Sequence, residues 1–539
     1  MSDSHPVDST KSYLNDPKGI WSWVVTTDHK RIGLLYLFSI MTFFLAGGVF
    51  ALLMRTELAH TGPGIAKNAD TYNVFFTLHG VMMIFLFIVP GIPATMGNFL
   101  LPLMIGAKDV VFPKLNLISY YIYVVGALMA AYALLNPVDT GWTFYAPYSL
   151  QTGTGVVWMV GAAFVLGFSS ILTGLNFVVT IHKLRCPGMT WFRLPVFVWA
   201  TYATAIIQTL ATPVVGMTLV LLIVERTMGI GIFNPEIGGD PVLFEHLFWF
   251  YSHPVVYIMV LPAFGVIGEI IPVFSRKPIF GYRAIVYSTM AIAGVSFVVW
   301  AHHMFVAGIS DTSAKVFSII TFGVAVPTAV KVFNWVSTMY KGSISFASPM
   351  LYAIAFVFLF MIAGTTGIYL ATLAVDVFYH DTYFVVAHFH YTIQGGAVIG
   401  LIAALHFWFP KMSGKMYNET AAKIFFVLII VGFNATFLPQ FKLGMMGMPR
   451  RYFDYPPEFE NLHFISTVGA FINAAGYFGA LMNLAICAWF GKTKAPANPY
   501  NSLSLEWQTP SPPPHENFTE VPTVDDYPYT YGKKLAHTH

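Results

Sequence analysis

His388-Phe389-His390 lies inside an apolar stretch, Thr382 to Pro410, long enough to cross a bilayer. Residues two apart on an α-helix point about 200° from each other. The two imidazoles cannot share one metal on an unbroken helix, but they can hold two, one on each side. Polar side chains at membrane depth are rare and usually functional. Four more histidines fall deep in apolar stretches: His79, His253, His302 and His303. One such histidine would read as a hydrogen-bonded core residue; six in one bundle read as a metal-ligand set. Adjacent His302 and His303 point about 100° apart and can both reach a metal between helices, with His253 the natural third ligand. Three imidazoles with an open position suit copper or zinc. Tyr257 follows His253 by one helical turn, so its phenol shares the metal-facing side, where it can donate an electron and a proton. His79 stands alone on its stretch and pairs with one of His388 and His390 as the two axial ligands of a haem iron. The other histidine then leaves its iron five-coordinate and facing the His253 site.

These residues need a scaffold, and composition says which kind. The 539-residue chain is 56% hydrophobic and 10% charged, against about 25% charged in soluble domains. Twelve stretches are long enough to span: 32–54, 73–103, 117–135, 155–181, 195–224, 243–273, 284–309, 315–340, 349–371, 382–410, 421–443 and 464–490. The chain is expected to be all-α, a polytopic twelve-helix membrane bundle. Residues 1–31 form an N-terminal segment, 32–490 the bundle and 491–539 a Pro-rich polar tail with no packed core of its own. Lys and Arg gather in alternate loops, including Lys108/Lys114, Lys183/Arg185/Arg193, Arg276/Lys277/Arg283 and Lys411/Lys415/Lys423. That pattern places both termini on the cytoplasmic side. Residues 1–20 lack the apolar core of a cleavable signal. Cys186 and Cys487 are too few and too separated for a Cys-based metal or disulfide framework. His29, His60, His182, His246, His406 and His463 read as interfacial polar residues, and His515, His537 and His539 of the tail as solvated ones. The bilayer is the implied surroundings, and nothing points to nucleic acid.

The motifs Thr77-Leu78-His79-Gly80, His253-Pro254-Val255-Val256-Tyr257, Trp300-Ala301-His302-His303-Met304-Phe305, His380-Asp381 through His388-Phe389-His390-Tyr391, and Met448-Pro449-Arg450-Arg451-Tyr452 resemble the catalytic subunit I of haem-copper terminal oxidases. The resemblance covers roughly residues 20–490. It implies reduction of O2 to water coupled to proton pumping. It assigns His79 and His390 to a low-spin haem iron and His388 to a high-spin haem iron, both haems being of A type. It assigns His253, His302 and His303 to the copper called Cu-B. By the same resemblance Tyr257 is cross-linked to His253, and Arg450 and Arg451 hold haem propionates, suiting guanidinium forks. Arg55 sits at the low-spin haem's edge. His380 and Asp381 hold Mg2+ or Mn2+ with a carboxylate from subunit II.

Two proton routes are implied too. Lys331, with Thr328, matches a channel ending at Tyr257, and Asp109, Asn98 and Asn116 match the entrance of a second. One position departs from the better-known members: Val255 stands where they carry a proton-relaying glutamate. Tyr251 and Ser252, one turn earlier on the same face, resemble a subgroup in which the tyrosine hydroxyl stands in. A phenol both donates and accepts hydrogen bonds. The chain carries no electron-entry copper or haem c motif, so electrons are expected from cytochrome c through subunit II, with subunit III and small subunits alongside. A bacterial cytoplasmic membrane is the expected location. Rival readings are a quinol-oxidising relative, a nitric oxide reductase, against which Tyr257 and Lys331 argue, and a metal-ion transporter, which has no need of histidines on opposite helix faces.

Overall fold

The computed structural model describes residues 12–132 and 134–532. Among these, eleven helices are long and apolar enough to cross a membrane, and a twelfth is shorter. In chain order they are α1 (His29–Glu57), α2 (Ala69–Ile105), α3 (Pro113–Tyr132), α4 (Val156–Lys183), α5 (Val196–Met228), α6 (Pro241–Ser275), α7 (Tyr282–Val298), α8 (Asp311–Met339), α9 (Ser348–Ala371), α10 (Tyr383–Ser413), α11 (Glu419–Met445) and α12 (Pro457–Phe490). The all-helical, multi-pass bundle expected from hydropathy is what forms, because in lipid every backbone polar group must be satisfied within its own segment.

Burial separates the central helices from the outer ones. The apolar windows of α6 and α10 are 89% and 83% buried inside the protein, those of α1 and α8 only 11%. The two central helices therefore meet protein on all sides and the outer ones face lipid. They come very close: a Cβ at Gly400 of α10 would stand 2.5 Å from the Ala263 Cβ of α6, so only glycine fits there. Helices α2 and α10 each loosen into π-type turns, at Met82–Ile88 and Pro93–Gly97 in α2 and at Ile393–Val398 in α10. Such turns commonly mark functional sites; in α10 the loosening begins just after His390.

The seventh span differs from the 284–309 read from hydropathy. The α-helix ends at Val295, a short tight turn follows, and the chain breaks at Val299 (φ −119°, ψ 4°). A second tight turn, Trp300–Met304, carries His302 and His303. Hydropathy registers depth in the membrane but not hydrogen-bond spacing, so the two stretches looked like one helix.

The described part of the tail packs on the bundle rather than hanging free. Its only helical piece among the described residues is the turn Leu505–Gln508. Trp507 is buried against Phe407 and Tyr500. The Lys411 ammonium donates to the carbonyls of Ala497, Thr509 and Pro510, and the Tyr529 hydroxyl donates to Glu269 at 2.6 Å. Three histidines read as interfacial, His29, His406 and His463, are fully buried instead. His515 is half exposed, and His537 and His539 lie outside the described residues.

Candidate metal centres and proton routes

His253 comes from α6 and the His302–His303 pair from the turn after α7. Each offers one nitrogen, and the three nitrogens lie within 4.8 Å of one another, the only such group of metal-ligand type among the described residues. Nδ1 of His253 faces Nε2 of His303 at 3.2 Å. The Trp249 indole stacks on His303 with ring centres 3.8 Å apart and fixes its plane. The Thr321 hydroxyl of α8 already donates to the Phe317 carbonyl, so it accepts from His302 Nδ1 at 3.1 Å. That leaves Nε2 of His302 with a free lone pair. An outer hydrogen bond of this kind orients a metal-ligating imidazole and raises its basicity. Nε2 of His253 is buried without a partner, and the Tyr257 ring centre lies 4.9 Å away.

The other three histidines sit on α2 and α10. The rings of His79 and His390 face each other nearly parallel, 17° apart, with centres 6.5 Å apart. Nδ1 of His79 donates to the Gly47 carbonyl at 2.9 Å and Nδ1 of His390 to the Val386 carbonyl at 2.8 Å. Carbonyls only accept, so both Nε2 atoms carry lone pairs. Two metal–imidazole bonds of about 2.0 Å each occupy the gap once the ring radii are added, so the pair would fit one iron between them. His388, two residues before His390, points to the other side of α10. Its Nδ1 donates at 3.0 Å to the Thr366 hydroxyl of α9, itself bonded to the Ile362 carbonyl. Gly367 makes room for it: a Cβ there would meet the His388 ring at 3.0 Å. All three imidazoles are only partly covered by protein, as broad planar groups against them require.

On the face away from the tail lies a second set of charges. Arg450 pairs with Asp381, and Arg450 Nε is buried and unpartnered. Arg451 lies over the Phe76 ring at 5.3 Å; burial, then the charge of Arg450, pulls its pKa down to about 10. Two adjacent guanidiniums beside one carboxylate leave positive charge for further acid groups. Arg55 donates to the His463 carbonyl at 3.0 Å, while its Nε has no partner. His380 pairs with Asp376 at 3.2 Å rather than closely with Asp381, 3.8 Å away. Burial pushes the Asp381 carboxyl up, but Arg450 and then His380 outweigh it and hold the group below its ordinary value.

The polar residues divide into two strings. Lys331 of α8 is buried and donates to the Thr289 hydroxyl and the Ile285 carbonyl of α7, residues that the sequence did not single out. The Thr328 hydroxyl bonds its own helix at Val324 and not Lys331. In the second string, Asn116 Nδ2 donates to Asn98 Oδ1 at 2.8 Å. Asp109, in the loop between α2 and α3, accepts from the Val110 amide, and burial raises its pKa to about 7. Beyond the asparagines, Tyr36, Ser119, Ser169 and Thr173 form a hydroxyl cluster with contacts of 2.8–3.2 Å. A cavity of about 40 Å3 follows, lined by Tyr36, Ser170, Gln208, Thr212 and Tyr251 among others. It is large enough for about three waters. The Ser170, Gln208, Thr212 and Ser252 side chains each leave a buried oxygen without a partner. Sequence reading missed this middle section. Its signal was Ser169, Thr173, Asn176 and Thr180 on α4, spaced for one helix face.

A bundle of twelve helices that gathers three imidazoles of metal-ligand type beside the His79–His390 pair and His388 has the make-up of a haem-copper type membrane oxidoreductase. The sequence profile of the family "Cytochrome C and Quinol oxidase polypeptide I" matches residues 31–472, so the chain belongs to that family, as subunit I of a haem-copper terminal oxidase. It is 45% identical over 534 residues to cytochrome c oxidase subunit 1 of Thermostichus vulcanus, covering 98% of this chain and 96% of that protein. To the Bacillus subtilis (strain 168) subunit 1 it is 42% identical, covering 94% and 82%. A haem-copper terminal oxidase dimer solved by cryo-EM shares the fold, with a TM-score of 0.73, 21% identity and coverage of 86% of this chain and 85% of that one.

Proposed function

We propose that this chain is the catalytic subunit of a respiratory cytochrome c oxidase that reduces O2 to water and pumps protons. The observation that carries the reading is the sorting of six intramembrane histidines into three groups of different geometry: the His79–His390 pair, the lone His388 and the His253–His302–His303 trio. The pair would hold a low-spin haem of A type, His388 a high-spin one and the trio Cu-B. When bound, these groups supply the electron transfer and the oxygen chemistry. The chain's own residues orient them and move protons. Hydrogen bonds to Gly47, Val386, Thr366 and Thr321 set the imidazole planes. Arg55, Arg450 and Arg451 would neutralise the propionates. Tyr257, whose ring lies against that of His253, would give up its phenolic proton beside the copper ligands, and cross-linking to His253 would fix its position. His380 and Asp381 would join a subunit II carboxylate in holding Mg2+ or Mn2+.

Four protons per O2 must reach a site walled by hydrocarbon. Lys331 would feed Tyr257. Asp109, Asn116 and Asn98 would feed the hydroxyl cluster and the cavity, and Tyr251, with Ser252, would pass protons onward in place of a carboxyl. Electrons would come from cytochrome c through subunit II, with subunit III and small subunits in the assembly. The membrane would be a bacterial cytoplasmic one, with both termini inside. Each pumped proton climbs about 2.3 kcal/mol per 100 mV of membrane potential.

The test is spectroscopic. The purified assembly should contain two haems and one copper alongside this chain, and its reduced spectrum should shift with carbon monoxide. His303→Ala should keep both haem bands while losing the copper and essentially all turnover. A colourless wild-type protein would refute the reading.

A further inference from the structure

The entrance that carries Asp109 is built from two stretches more than 400 residues apart. Asn517 of the tail is buried. Its side-chain Nδ2 donates to the carbonyls of Ala107 at 2.8 Å and Lys108 at 3.1 Å, the two residues just before Asp109. Its Oδ1 accepts from the Lys30 ammonium at 2.7 Å. His29 Nδ1 donates to the Asn98 carbonyl at 2.6 Å. Its Nε2 must then accept, and it lies 2.9 Å from Asn517 Nδ2, whose two hydrogens are shared between this nitrogen and the two carbonyls. One amide thus ties the Asp109 loop, the start of α1 and the residue that pairs with Asn116. Neighbouring contacts close the seam: Lys30 donates to the His515 carbonyl at 2.9 Å and pairs with Asp28 at 3.2 Å, and Lys108 pairs with Glu516 at 2.9 Å.

We propose that Asn517 is a positioning residue of the proton entrance, so that the tail sets the rate at which protons reach Asp109 and the asparagine pair. The proposal rests on the reading of Asp109 as an entrance. It differs from mere anchoring of the tail, because the tail is anchored elsewhere without it, at Lys411 and at Glu269. Asn517 has φ 64°, a conformation that glycine adopts without strain. Asn517→Gly therefore removes the side chain and keeps the turn.

The experiment measures proton uptake from the cytoplasmic side during a single turnover, with a pH-indicating dye, on the complete assembly. Asn517→Gly should slow uptake by up to about 10²-fold, the cost of a displacement near 1 Å. Its haem spectrum, carbon monoxide shift and copper content should be unchanged. Tyr529→Phe, which loosens the tail at a different anchor, should take up protons at the wild-type rate, and Asp109→Asn should be slow. Wild-type uptake in Asn517→Gly, or equal slowing in Tyr529→Phe, overturns the proposal. If Asn517→Gly does not assemble, Asn517→Asp keeps the volume and the Lys30 contact but sets a carboxylate oxygen against the Ala107 and Lys108 carbonyls. It must also be slow, and wild-type uptake there is equally fatal. If Asp109→Asn takes up protons normally, the entrance assignment falls and the proposal with it. If only Asn517→Gly does, the proposal falls and the assignment stands.

Discussion

The histidine sites and the Tyr251 cavity lie in the same bundle but are finished in opposite ways. All six imidazoles have a nitrogen already bonded to a carbonyl, a hydroxyl or a neighbouring imidazole, His253 and His303 to each other. His303 has its plane fixed by Trp249. Around the cavity, Ser170, Gln208 and Thr212 keep buried oxygens with no hydrogen-bond partner. A metal ligand must be aimed before the metal arrives, since orientation sets affinity and basicity. A proton route needs the reverse. Groups satisfied by fixed protein bonds cannot exchange partners, whereas unpaired oxygens beside a small cavity are free to bond waters that can.

That contrast can be broken at several points. The largest effect after loss of a copper ligand is expected for Tyr251→Phe. Removing a positioned proton-transfer group costs about 10²-fold or more, so turnover or pumping should fall steeply, while Val255→Ala leaves both near wild type. Equal rates in the two variants would mean that the cavity delivers protons without the phenol. Thr366→Val comes next. It deletes the hydrogen bond that aims His388 while keeping the side-chain volume, and should lower haem affinity or activity by about 10-fold, seen as a changed carbon monoxide shift. An unaltered spectrum would show that packing alone orients that ring. The mildest effect concerns pH. Burial raises the Asp109 carboxyl from 3.8 to about 7, so the group is protonated below about pH 7 and charged above it. If the protonated form is the donor, turnover should fall as the inside pH rises through about 7, and Asp109→Asn should erase that limb. A limb that persists in the Asn variant would belong to another group.

Much of the candidate site was legible before any fold. The separation of His388 from His390 follows from helical pitch, and the Tyr257 offset from His253 from the same rule. Thr289 beside Lys331, and Gln208 and Thr212 beside Tyr251, were not legible, because each lies on a different helix and nothing in hydropathy states which faces meet. The tail shows the limit from the other direction. Its proline content and polarity spoke against a core of its own, yet Trp507 and Asn517 are buried because the bundle lends it a surface.

The sequence by itself determined the bundle, the six intramembrane histidines and the absence of a carboxyl at Val255, since period, length and residue type are local properties. Tertiary structure alone decided how His302 and His303 turn toward His253, which oxygens are left without partners and where the tail lands. Those outcomes depend on which helix faces approach closely enough to exclude lipid and exchange hydrogen bonds, and that is a property of the packed chain as a whole.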